Sequence, residues 1–170
     1  MQRRLSARFK GIILSVQNRC ALSCERDWSI AVRLKGLIDT GAILALVDRG
    51  DRWHRACVDA VAEFALPFVT SASVLAELFH LVGDNPHEVE AAWAFLRSGA
   101  VTVAAIDDAD MPVLHALMQK YHDRPMDFAD ATLVRLAQRE SLQTILTVDF
   151  SDFEIYRIDG RKRFRIFPTH

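Results

Sequence analysis

Short apolar runs alternate with helically spaced apolar stripes from about residue 33 to the C-terminus. VRLKGLID reads as a strand ending in a carboxylate at Asp39, and TGAILALVDRG as a short helix stopped near Gly50. In DRWHRACVDAVAEF the apolar positions Trp53, Ala56, Cys57, Ala60, Val61 and Phe64 share one helical face, with Asp51 as its expected cap. PFVT reads as a strand. Ser71 and Ser73 offer caps for the helix VLAELFHLVG, which Gly83 ends. Pro86 suits the first turn of a helix running to Gly99.

AVTVAAI is then a β-branched strand, and DDADMPVLHALMQKYH a helix whose leading acids favour its N-terminus. MDFADATLVRLAQRES is an amphipathic helix, and LQTILTVD a strand ending at Asp149. After a turn at Asp159 and Gly160, RFRIF reads as a last strand. Strands alternating with helices require crossover connections, so the expected fold is a three-layer α/β/α sandwich with a mainly parallel central sheet.

Composition changes little in this picture. Hydrophobic residues make up 51% of the 170 and charged residues 25%, ordinary for a globular chain of one domain. A formal net charge of −1 excludes a strong global pull on polyanions but leaves room for a local basic face. Arg161, Lys162, Arg163 and Arg165 around Phe164, with Arg124, Arg135, Arg139 and Arg157, are candidates for that face. A solvated basic tail is the alternative reading of the run. Cys20, Cys24 and Cys57 form neither a disulfide framework nor a zinc-ligand pattern, which points to a reducing compartment, the cytoplasm.

Residues 1–32 are basic at the start and carry a brief GIIL run, too short for a secretory leader. They are expected to be a poorly ordered extension, with a single domain over 33–170. No stretch approaches the roughly 18 apolar residues of a membrane helix, so no membrane partner is expected.

The chemistry lies in the acids. Parallel strands share a direction, so Asp39 and Asp149 arrive at the same edge of the sheet, where such folds place their ligands. Alone, each is equally a turn former or helix cap. Glu77 interrupts an apolar helix and points to a partly buried carboxylate seeking a partner or a metal; the alternative is an exposed position on that helix. Asp127 and Asp130 stand one helical turn apart at a helix start. Asp127 reads first as the cap and second as a metal ligand through water; Asp130 is aimed inward by Ala131 and Leu133. Several carboxylates in one cleft repel each other, and Mg2+ or Mn2+ relieves that repulsion through oxygen ligands and activates water for attack on phosphorus.

LIDTGAILAL, VLAELFHLVG, MDFADATLVRLA and ILTVDFSDFEIYR together resemble the ordered motifs of the PIN-domain family, most closely its VapC-type ribonuclease toxins. The likeness covers about residues 34–168. It implies a metal-dependent endoribonuclease in which Asp39, Glu77, Asp130 and Asp149 are the catalytic, metal-holding quartet. Thr147 then matches the hydroxyl residue that helps hold the site, and Asp127 and Asp152 match accessory acids. The resemblance also implies a transfer or ribosomal RNA substrate, a cognate antitoxin and a homodimer. A stand-alone RNA-processing nuclease and an inactive RNA-binding relative stay open. Arg124, Arg161, Lys162 and Arg163 are the residues expected to hold RNA.

Other chemistries lack their residues. The six histidines include no HExxH pair, and there is no Gly-rich phosphate loop. A receiver domain needs a second acid beside Asp39 and a later strand-end Lys. A haloacid-dehalogenase-like phosphatase needs an acid where Gly41 stands. Trp53, Trp93 and Phe95 read as core or interface, and His80 as a surface residue.

Overall fold

The computed structural model describes residues 35–124 and 126–169; the expected N-terminal extension lies outside them. Five strands form one sheet in the order β3-β2-β1-β4-β7, built from β1 (Gly36–Ile38), β2 (Phe68–Ser71), β3 (Val101–Ala104), β4 (Thr144–Leu146) and β7 (Arg165–Phe167). Every neighbouring pair is parallel. The helices are α1 (Thr40–Val47), α2 (His54–Val61), α3 (Ala72–Val82), α4 (Pro86–Leu96), α5 (Met111–Lys120), α6 (Phe128–Arg139) and α7 (Phe150–Phe153).

The strands β1 and β4 hold the centre of the sheet, and every residue of both is buried. That is why consecutive positions, Leu37–Ile38 and Ile145–Leu146, are apolar instead of alternating with polar ones. Their register pairs Leu37 with Ile145 and Ile38 with Leu146, so Asp39 and Thr147 emerge side by side one step further on. Gly36 allows the close approach of Phe64, whose ring carbon would lie 2.4 Å from any added Cβ. The α6 helix buries Ala129, Ala131, Leu133, Val134, Leu136 and Ala137, nearly its whole circumference.

Several boundaries differ from the sequence expectation. Asp51 does not cap α2. Its carboxylate accepts from the Trp53 amide at 2.6 Å in a turn ahead of the helix, which begins at His54. Ser71 caps α3, accepting from Val74 N at 3.3 Å, whereas Ser73 lies inside it. The acids before α5 stay outside that helix. Asp107 accepts from Ala109 N at 3.0 Å, and Asp110 is buried against Arg135 and Arg139, each 2.7 Å away. The structure adds a small antiparallel pair, β5 (Arg157–Ile158) and β6 (Lys162–Arg163), around the expected turn, so the last strand, expected from Arg163, begins at Arg165.

Candidate active site

One cleft of about 650 Å³ opens at the carboxyl edge of the sheet. Asp39, Glu77, Asp130 and Asp149 all line it, each delivered by a different element, and Asp127 and Asp152 join them on the rim. Asp39 follows β1 and caps α1. Glu77 stands midway along α3, Asp130 in the first turn of α6, and Asp149 between β4 and α7.

Asp39 is buried at the floor of the cleft. Its Oδ1 accepts from the Thr40 amide at 2.6 Å, and its Oδ2 accepts from the Thr147 hydroxyl at 2.8 Å. The same Thr147 oxygen accepts from the Asp149 amide at 2.9 Å, so one buried hydroxyl ties the ends of β1 and β4 together. Burial pushes the Asp39 carboxyl up to about 6; the Thr147 and Thr40 donors oppose the shift, and the Glu77 and Asp149 charges add to it.

Glu77 is oriented by Thr40, whose hydroxyl lies 2.7 Å from Glu77 Oε2 and 3.3 Å from the Val74 carbonyl. A hydroxyl has one proton, and the shorter, charge-assisted bond to Glu77 takes it. Asp130 accepts from the Tyr156 hydroxyl at 3.0 Å. Its carboxyl rises to about 8, first through burial, then through the Asp127 and Asp39 charges. Asp130 in turn pushes the Tyr156 phenol further up, adding to the effect of burial. Asp127 caps α6, accepting from the Asp130 amide at 2.7 Å. Asp149 caps α7, accepting from Ser151 Oγ at 3.0 Å and Asp152 N at 3.3 Å. Asp152 is raised by burial and by Asp149.

Gly41 completes the floor. An added Cβ would lie 2.6 Å from Val148 Cγ2, so glycine lets the start of α1 pack against the segment carrying Thr147 and Asp149.

The donor set is all oxygen, and Asp39 and Asp130 are held back from ionising partly by their neighbours' charges. Both features suit a hard divalent cation. Among the described residues no group of three or more His, Cys, Asp or Glu side chains is gathered as a ready-made metal site.

The expected basic residues are not drawn into this cleft. Arg161, Lys162 and Arg163 are exposed around the β5–β6 hairpin and line no part of it. Arg124 is exposed and close enough for its charge to act on Asp152. Arg135 and Arg139 are committed to Asp110, and Arg157 bonds to the carbonyls of Glu154, Ile155 and Tyr156. Sequence reasoning missed Thr40, Tyr156, Arg52 and Trp53. Thr40 follows Asp39 directly and was open to notice; nothing local marks Tyr156 as a partner of Asp130.

A parallel α/β sheet with an acid-lined cleft at its carboxyl edge defines the class. The chain belongs to the PIN-domain family, whose model matches residues 36–160. It is 36% identical over 135 residues to Ribonuclease VapC26 of Mycobacterium tuberculosis (strain ATCC 25618 / H37Rv), covering 78% of this chain and 99% of that protein. Its fold is similar to that of Mycobacterium tuberculosis VapC20, described as a sarcin-ricin loop cleaving toxin. The TM-score is 0.61 at 23% identity, covering 69% of this chain and 94% of that one.

Proposed function

We propose that this chain is a divalent-metal-dependent endoribonuclease that hydrolyses RNA phosphodiester bonds in the acidic cleft, and that it is the toxin of a toxin–antitoxin pair. The observation that carries the reading is the arrival of Asp39, Glu77, Asp130 and Asp149 in one cleft from four separate elements. Likeness to a protein named as a ribonuclease, over nearly its full length, supports it.

In this reading Asp39, Asp130, Asp149 and Glu77 hold Mg2+ or Mn2+, which when bound supplies positive charge against the phosphoryl oxygens and lowers the pKa of water. The chain's own part is to place those carboxylates. Thr147 fixes Asp39 and the Asp149 backbone, Thr40 fixes Glu77, and Tyr156 fixes Asp130. Asp127 and Asp152 extend the negative rim.

The partners follow the same reading: a transfer or ribosomal RNA substrate, a cognate antitoxin and a second copy of the chain. Exposed Leu81 and Trp93, the latter packed on Phe79 at 4.8 Å, support an apolar interface. No helix among the described residues is long and apolar enough to cross a membrane, and we propose action in the cytoplasm.

Purified protein incubated with RNA and Mg2+ or Mn2+ is expected to cut it, EDTA to stop cutting, and Asp39→Asn and Asp130→Asn to abolish it. Equal cutting by both variants would overturn the site. Growth arrest on expression, relieved by a cognate antitoxin, separates the toxin from a stand-alone processing nuclease.

A further inference from the structure

The cleft sets a problem for any polyanion. Asp39, Glu77, Asp127, Asp130, Asp149 and Asp152 face it with carboxylates, and the basic tail does not reach it. Among the described residues lining the cleft, Arg52 is the single Lys or Arg. It lies in the turn between α1 and α2, with its guanidinium carbon 5.5 Å from the centroid of the Trp53 ring. Trp53 also lines the cleft and packs at 5.2 Å against Phe150, which follows Asp149 directly. The Asp51 carboxylate holds the Trp53 amide at 2.6 Å and so fixes the turn that presents both side chains. Among the described residues Arg52 enters no ion pair.

We propose that Arg52 is the RNA-gripping residue of this site, binding a backbone phosphate beside the scissile bond while the Trp53 ring holds the guanidinium in place. The inference rests on the ribonuclease reading and adds to it the group that draws RNA into a negative cleft. A guanidinium suits the role because its planar fork meets a phosphate with two hydrogen bonds and its face stacks on an aromatic ring. Lysine offers neither feature. Trp53 is a positioning residue: it acts through Arg52.

The test separates binding from cleavage. In an Asp39→Asn background, which keeps the RNA intact, a fluorescein-labelled RNA stem–loop is titrated by anisotropy at several salt concentrations. Adding Arg52→Ala is expected to weaken Kd by severalfold to about tenfold and to flatten the log Kd against log salt slope by about 0.7. Arg52→Lys recovers only part of the loss. Trp53→Ala weakens binding and Trp53→Phe restores it. Arg55→Ala, which removes an exposed cation outside the cleft, leaves Kd unchanged. Undiminished binding by Arg52→Ala overturns the inference, as does an equal loss from Arg55→Ala, which would mean general charge alone. Failure of the nuclease reading looks different: the protein with Asp39 intact binds the stem–loop, in an Arg52-dependent manner, and never cuts it.

Discussion

Thr147 donates its hydroxyl proton to Asp39 Oδ2 at 2.8 Å across a sequence separation of 108 residues. The bond joins two neighbouring strand ends and gives a buried carboxylate one of its two hydrogen-bond donors. Thr147→Val keeps the shape and removes the donor, leaving Asp39 harder to ionise. Cleavage is expected to fall about 10- to 100-fold and the melting temperature to drop by the equivalent of about 1–3 kcal/mol. Thr147→Ser should recover most of the rate. Full activity in the valine variant would remove Thr147 from the site.

The raised carboxyls predict a pH dependence of stability. Asp39 and Asp130 have folded values of about 6 and about 8, above the ordinary 3.8. A group raised on folding contributes its stability at low pH and loses it as pH climbs through the folded value. Metal-free protein should therefore lose stability between about pH 4 and pH 8. Asp130→Asn should reduce that loss by an amount on the order of 2 kcal/mol, allowing for solvent screening. Thermal melts in EDTA across this range check it. A parent protein whose melting temperature is flat would contradict the charge crowding.

Magnesium should act in the opposite sense. A cation that binds only the folded state stabilises it by mass action, and it binds ionised carboxylates. The rise in melting temperature on adding Mg2+ or Mn2+ should thus be larger at pH 8 than at pH 5, and Asp39→Asn should shrink it. An equal rise at both pH values would argue against carboxylate ligation.

Gly41 and Val148 offer a test of packing under the site. Gly41→Ala forces Val148 aside, because its Cβ would lie 2.6 Å from Cγ2. The expected cost is about 1–2 kcal/mol, with reduced cleavage because Thr147 and Asp149 flank Val148. Adding Val148→Ala should return most of the activity, a coupling that a double-mutant cycle measures. Additive losses would mean the two side chains do not meet.

Asp110 is the structural counterexample among the acids. Hydrogen bonding from Arg135, opposed by burial and reinforced by Arg139, holds its carboxyl below the usual range. A depressed group contributes stability above its unfolded value and loses it as pH falls through the folded one. Asp110→Asn should cost about 2–3 kcal/mol at pH 7, a loss that shrinks below about pH 4, while cleavage per folded molecule stays unchanged. Chemical denaturation at two pH values, paired with an RNA-cutting assay, decides it.

What the sequence determined by itself was the alternation of elements and the address of the acids. Buried central strands need continuous apolar runs, and helices packed on a sheet need stripes at helical spacing, so both leave local periodic marks. Parallel direction then requires Asp39 and Asp149 to emerge at one edge. Those relations depend on neighbours in sequence or on a general rule of parallel sheets.

Tertiary structure decided the rest. Whether Glu77 and Asp130 enter the same cleft depends on how α3 and α6 dock on the sheet. Tyr156 reaches Asp130 across 26 residues and Arg135 reaches Asp110 across 25, without a local mark for either partnership. The same long-range geometry took Arg135 and Arg139 out of the expected basic face and left Arg52, in a turn, on the acid-lined wall. Local patterning is set by which face must leave water; partners are set by which faces meet, and only the folded chain brings those together.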